Sequence, residues 1–171
     1  LEALNSSLSS KRVLYDMTNR DSKKIISVLD SKSQEHTILR DSILPGLIEN
    51  LSRNIHESYP QKMFETGSIF NLDKPVSEKT NLAVLSAHKD ANFTEIKSVL
   101  QTVLKIGFGI EIQTKTASNS TFEDGHCANI IFNQNIIGII GEIDSKIIEN
   151  YKIRVPVVGF EISLSESILK S

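Results

Sequence analysis

The feature that most constrains this chain is the run Thr37-Ile38-Leu39-Arg40-Asp41-Ser42-Ile43-Leu44-Pro45-Gly46-Leu47-Ile48, with Gln61-Lys62-Met63-Phe64-Glu65-Thr66-Gly67 following Pro60. From Ser42 to Glu57 the apolar residues Ile43, Leu44, Leu47, Ile48, Leu51 and Ile55 fall at helical spacing, which predicts an amphipathic helix. Ser42 is its expected N-cap. Pro45 stands in the first turn, where a missing N–H costs little. Pro60 closes the helix, and Lys62 to Leu72 carries Met63, Phe64, Ile69 and Phe70 as a strand, with Gly67 marking a bulge or a close backbone approach. A helix leading directly into a strand whose own partner, Asn81 to Ala87, follows it points to a layered fold.

The remaining pattern fills in that fold. Asn92 and Glu95 form a capping-box-like pair, and Ile96, Val99, Leu100, Val103 and Leu104 give a second apolar stripe ending near Gly107. Ile110, Ile112 and Thr114 alternate with Glu111, Gln113 and Lys115 as a half-buried strand. Ala128 to Phe132 and Ile136 to Ile143 flank Asn133-Gln134-Asn135, a polar three-residue turn, and predict a hairpin. Asp144 caps a short helix through Tyr151, Val157 to Leu164 reads as another strand, and Ser165 starts a terminal helix. Toward the N-terminus, Glu2 to Leu8 and Ile25 to Leu29 are expected strands, with a brief helix from Ser10 to Met17 between them. Helices interspersed with hairpins favour an α+β antiparallel sheet over a doubly wound parallel one.

Length, charge and cysteine content set the limits of function. A chain of 171 residues can bury one sizeable core, and residues 1–171 are read as a single domain. The net charge of −2 and the lack of a long basic run give no global attraction to phosphates. Cys127 is the only cysteine, so no intrachain disulfide forms, and a reducing cytoplasm is the expected compartment. No apolar run approaches the roughly 18 residues of a membrane span. Leu1 stands where an initiator methionine is expected, which reads as a piece of a longer protein.

Motifs that invite chemistry have simpler readings. Gly107-Phe108-Gly109 follows a helix and precedes a strand, the reverse of a dinucleotide-binding turn, and is expected to be a helix C-cap. Gly138 and Gly141 are expected to allow close packing within a strand. His36, His56, His88 and His126 lack metal-ligand spacing, and His126 and Cys127 project in opposite directions from one strand. Cys127 is therefore read as a buried small hydrophobe. Glu123 and Asp124, just before Gly125, are read as a solvated turn. Arg40 precedes a helix start, where a cation gains nothing from the helix dipole. Two readings of it stand side by side: hydrogen bonds or a salt bridge across an interface, and an exposed arginine lying along the helix.

Taken together, these stretches resemble the β subunit of phenylalanyl-tRNA synthetase of the archaeal and eukaryotic cytosolic type, specifically its C-terminal catalytic-like module. Leu39 to Leu47 is similar to a Leu-Arg-x-x-Leu-Leu-Pro helix start, and Pro60 to Gly67 to a Pro-x-Lys-hydrophobic-Phe-Glu-x-Gly strand. Phe93-Thr94-Glu95-Ile96-Lys97, Phe122 to Ala128 and Ile137-Gly138-Ile139-Ile140-Gly141-Glu142 match further motifs in the same order. The resemblance implies a class II aminoacyl-tRNA synthetase-like antiparallel sheet flanked by helices, an α subunit partner that carries the aminoacylation site, and an assembly of two α and two β subunits reaching tRNA through the complex. ATP and Mg2+ are implied for the complex and no cofactor or metal for this module. Gly67-Ser68-Ile69-Phe70-Asn71 resembles the strand where active relatives place an arginine that stabilises charge at the ATP α-phosphate, yet Asn71 is neutral. The third class II motif, glycines followed by a helix-borne arginine, has no match. The module is accordingly expected to perform no aminoacylation, with no catalytic residue of its own. Its helix resembles the class II motif-one helix, which builds subunit interfaces, so Arg40, Ile43, Leu44, Leu47, Leu51 and Ile55 are the expected partner contact, with ordinary core packing of the apolar residues an equally weighted alternative. Two rival readings are an independent class II-like ATP-binding ligase domain and a direct tRNA-binding module.

Overall fold

A computed structural model describes residues 1–22, 24–29, 33–164 and 168. Its centre is a six-stranded antiparallel sheet in the order β3-β4-β8-β7-β6-β5, formed by β3 (Gln61–Asn71), β4 (Ser77–Ala87), β5 (Gln113–Thr116), β6 (Phe122–Phe132), β7 (Asn135–Ile143) and β8 (Val157–Ser163). Helix α1 (Leu44–Arg53) lies on one face, and α2 (Phe93–Phe108) packs against β7 and β8 on the other. A short helix α3 (Ser145–Asn150) follows β7, and a small ribbon of β1 (Leu8–Ser9) and β2 (Ile38–Leu39) stands apart from the main sheet. The α+β antiparallel architecture expected from the sequence is the one observed.

Strand alternation sorts the apolar residues into two cores. On the α1 side, Ile43, Leu44, Leu47, Ile48 and Leu51 pack against Met63, Leu85, Val157, Ile147 and Tyr151. On the α2 side, Ile96, Leu100 and Leu104 pack against Ile130, Ile140, Val158, Phe160 and Ile162. β8 is covered on both sides, which is why its sequence reads as a continuous apolar run interrupted only by Gly159 and Glu161. Burial on this scale, about 25 cal/mol per Å² of apolar surface, is the main force holding the helices down.

Several element boundaries differ from expectation for local reasons. α1 ends at Arg53 rather than Glu57, because the Gln61 side-chain amide donates to the carbonyls of Asn54 at 2.8 Å and Glu57 at 3.3 Å and holds that segment as a turn. The hairpin loop has two residues rather than three: Asn133 and Gln134 both take positive φ, 46° and 65°, and Asn135 already belongs to β7. Ile110 and Ile112 precede β5 instead of starting it. Gly109, at φ 70°, turns the chain, and the Ile110 N–H bonds back to the Leu104 carbonyl, so Ile110 docks beneath its own helix. The segment read as a strand from Glu2 to Leu8 instead has Glu2 bridged to Phe64, and only Leu8–Ser9 forms a strand. Ile25 to Leu29 is reduced to one bridge between Ser27 and Ile38. The brief helix expected from Ser10 is a π-helical turn, Arg12–Asp16, with the Ser10 hydroxyl accepting from the Val13 N–H. Ser165, the expected start of a terminal helix, lies outside the described residues.

Glycines mark where backbones approach. A Cβ on Gly141 would stand 2.7 Å from both the His126 carbonyl and the Phe122 ring, whereas one on Gly107 meets nothing within 4 Å. Gly141→Ala is expected to cost about 2 kcal/mol through overpacking. Gly107→Ala is expected to add about 0.5 to 1 kcal/mol by restricting the unfolded chain. Urea denaturation of the two variants checks this, and equal effects at both positions would contradict the packing described.

Candidate functional site

The α1 face of the sheet carries an unusual row. Pairing aligns Glu65 on β3 with Ala83 on β4, and Ala83 with Glu161 on β8, so two acidic side chains point to the same side and flank an alanine. Both are buried: Glu65 is 1% exposed and Glu161 6%. A buried carboxylate needs partners to offset its desolvation, and each draws them from the segment that enters α1.

Glu65 takes Arg40. The guanidinium donates from Nη1 to Glu65 Oε1 at 2.5 Å and from Nε to the Ser68 carbonyl at 2.9 Å. Its second terminal nitrogen lies over Gly67, where a Cβ would collide with it, so the glycine read from sequence as a close approach makes room for this arginine. Asn5 completes the shell, donating from its backbone N at 3.2 Å and from Nδ2 at 2.6 Å to the two oxygens of Glu65, while Asn50 of α1 donates to Asn5 Oδ1 at 3.0 Å. Of the two readings of Arg40, the structure places it in a salt bridge, within this chain.

Glu161 takes the helix itself. Its carboxylate accepts from Ser42 Oγ at 2.6 Å, from the Ile43 N–H at 3.0 and 3.1 Å, from the Leu44 N–H at 3.1 Å and from Asn81 Nδ2 at 2.7 Å. Ser42 is therefore not the N-cap expected. No side chain of its own neighbourhood caps α1, and a residue 118 positions away does so, with its negative charge at the positive end of the helix dipole. Similar service is given elsewhere: Glu142 on β7 accepts from the Phe93 N–H at the start of α2 at 2.9 Å, and Glu123 on β6 accepts from the Ser145 N–H at the start of α3 at 2.7 Å. Glu123 thus belongs to a strand and a helix cap, which corrects its reading as part of a solvated turn.

Beyond the N-terminus of α1 the same sheet face is uncovered. A cleft of about 360 Å³ opens there, lined by Asn71, Lys79, Asn81, Asn129 and Ser163 with Phe122, Ile137 and Ile139 among its apolar walls. Asn71 lies in this cleft as a neutral amide. Arg20 at its edge is held bidentately by Asp41 at 3.0 and 2.9 Å. Lys79 is exposed at the lip. Cys127 is buried, and burial pushes its thiol up to about 11, while His126 points outward to Glu142 at 3.2 Å, as their adjacency on one strand requires. Among the described residues no group of three or more His, Cys, Asp or Glu is arranged to hold a metal ion.

The side chains expected to meet a partner are placed mostly inside the molecule. Ile43, Leu44, Leu47 and Leu51 are core residues, Ile55 packs against the same core, and Arg40 is committed to Glu65. The physical reason is periodicity: the apolar stripe that marks the helix is the stripe that binds it to the sheet. Arg40 and Ile43 still reach the floor of a groove of about 570 Å³ between α1 and the N-terminal segment, whose rim carries Arg12, Glu49 and Arg53.

Replacing Glu161 by glutamine puts an NH2 donor into a site on which four donors already converge. The expected loss is about 2 to 4 kcal/mol of folding stability with an unchanged dependence on urea. A loss below about 0.5 kcal/mol, the range of ordinary surface substitutions, would show that Glu161 does not hold α1.

Residues 1–164 match the family model described as the phenylalanyl tRNA synthetase beta chain CLM domain. Over 167 residues the chain is 35% identical to the phenylalanine–tRNA ligase beta subunit of Pyrococcus abyssi and 36% identical to that of Methanocaldococcus jannaschii, covering 95% of this chain and 30% of each relative. The chain thus spans less than a third of the length of these relatives. Among solved structures, that of Desulfitobacterium hafniense PylSc, a pyrrolysyl tRNA synthetase, superposes with a TM-score of 0.77 at 19% identity, over 99% of this chain and 61% of that one. This likeness fixes the architecture as a class II synthetase-like sheet with flanking helices. By its sequence match over nearly its whole length, the chain belongs to the phenylalanyl-tRNA synthetase β-chain CLM-domain family.

Proposed function

We propose that the chain is a non-catalytic structural and assembly module of a phenylalanine–tRNA ligase, folded as one domain. In this reading it supports the ATP-dependent attachment of phenylalanine to tRNA by an α subunit, within a cytoplasmic assembly of two α and two β subunits. ATP and Mg2+ act elsewhere in the complex. The observation that carries the reading is the state of the polar groups on the α1 face. Glu65 and Glu161 are occupied by Arg40 and by the start of α1, Arg20 is occupied by Asp41, and the cleft residue Asn71 is neutral. A site for phosphoryl or adenylyl chemistry needs unengaged cations directed at developing negative charge. In this cleft Lys79 stands at the lip, and the other side chains named above are neutral or already engaged.

The α subunit contact is assigned to the outer side of α1 and its groove, above Arg40 and Ile43, rather than to the buried apolar stripe. Arg12 and Arg53 form the exposed rim there, both paired with Glu49. Such exposed pairs contribute at most about 1 kcal/mol each to folding, so reversing them tests contact rather than stability. Arg12→Glu combined with Arg53→Glu is expected to abolish co-purification with the α subunit while the melting temperature of the chain changes little. Normal assembly would sink this assignment. Separately, ATP–Mg2+ titrated to about 1 mM, a range that detects affinities near −4 kcal/mol, is expected to give no saturable binding to the chain; clear saturation would favour an independent ligase domain.

A further inference from the structure

Arg12 and Arg53 come to the groove beside α1 from different elements, the π-helical turn and the last turn of α1, and both turn to Glu49. A single oxygen serves them: Glu49 Oε1 lies 2.8 Å from Arg12 Nη2 and 3.5 Å from Arg53 Nη2. The carboxylate side chain is sheltered at 18% exposure, while the guanidinium side chains are 58% and 67% exposed. One acid thus faces two cations. Among the described residues neither guanidinium has another hydrogen-bond or ion-pair partner. A guanidinium is a flat fork of donors, and with one nitrogen of each directed at Glu49 the other donors are left for a second acceptor.

The rest of the groove selects among acceptors. Guanidinium forks take a carboxylate or a phosphate. A nucleic-acid backbone lays several negative charges along its track, and here they would pass Glu49 and also Glu35, an exposed acid on the same groove that makes no ion pair among the described residues. The net charge of −2 does nothing to offset that repulsion. A single carboxylate on a peptide avoids it. Ser6, Ser9 and Gln34 add neutral polar groups along the groove, and Leu4, 86% exposed at its edge, offers an apolar contact. The volume of about 570 Å³ is enough to enclose a few side chains. We propose that the α subunit is held here by an acidic anchor: a segment of α lies in the groove and places one Asp or Glu carboxylate between Arg12 and Arg53, matching the charge that Glu49 leaves over. This rests on the groove being the α contact and adds the chemistry of its occupant.

The affinity of the β chain for its α subunit, measured at rising salt, tests this. Arg12→Gln combined with Arg53→Gln removes the charge without adding bulk, and is expected to weaken association about tenfold or more and to flatten its salt dependence. Glu49→Gln separates an anchor from a structural ion pair. It frees both guanidiniums and removes the acid that repels the incoming one, so association is expected to tighten, whereas a pair needed only for structure would make it weaken. Ser9→Trp, and Leu4→Trp from an exposed position that the fold tolerates, fill the groove at unchanged charge and are expected to block association whatever the occupant carries. Undiminished association of both, with melting temperatures retained, overturns the groove as the α contact and the anchor with it. If these two block but the arginine variant keeps full affinity and salt dependence, or Glu49→Gln weakens association, the anchor alone is overturned and the groove contact stands. Loss of tRNA binding in place of α binding in the arginine variant also overturns the anchor, since the guanidiniums then hold a phosphate.

Discussion

Two carboxylates in one row of the sheet, Glu65 and Glu161, fix the five-residue entry to α1, and the α1 side of the molecule depends on them. Arg40 is tied to the first, and Ser42, Ile43 and Leu44 to the second, with Ala83 between. Once this segment is held, the phase of α1 is set, and Leu44, Leu47, Ile48 and Leu51 fall onto Leu85, Met63 and Tyr151. A charge buried this deeply is tolerated because each oxygen has donors, and removal of either partner leaves an uncompensated ion. The result specifies geometry more than it adds stability, since well-packed apolar residues in the same volume would hold a helix as firmly.

Capping from strand acids is repeated through the fold. Glu161, Glu142 and Glu123, on β8, β7 and β6, each accept from the N-terminal amides of a different helix. These acids hold helices in place, and the neighbouring cations Arg40 and Arg20 are neutralised at short range by Glu65 and Asp41. A module of this kind has its polar residues arranged to keep one shape, which is what a subunit needs if its task is to support the geometry of another.

Much of this was legible in the sequence. α2 carried its own start and stop in Asn92, Glu95 and the glycines after Leu104, and β6 and β7 announced themselves by aliphatic runs around a polar turn. Adjacent residues on a strand also gave the opposed directions of His126 and Cys127. What could not be read were interactions between distant positions. Ser42 looked like a cap because the local pattern allows it, while the actual cap lies on the last strand. The stripe Ile43, Leu44, Leu47 and Leu51 is equally consistent with a core and with an interface, since both require an apolar face, and only the presence of the sheet decides.

The central claim is that Glu161 clamps the start of α1 and so belongs to the framework. Native-state hydrogen exchange at the Ile43 and Leu44 amides measures that clamp directly. In the unaltered chain both amides are predicted to open only with global unfolding, at the same free energy as the central amides of β4, and in Glu161→Gln to open well below it. Opening of Ile43 and Leu44 at low free energy in the unaltered chain, with the sheet still protected, would contradict the account.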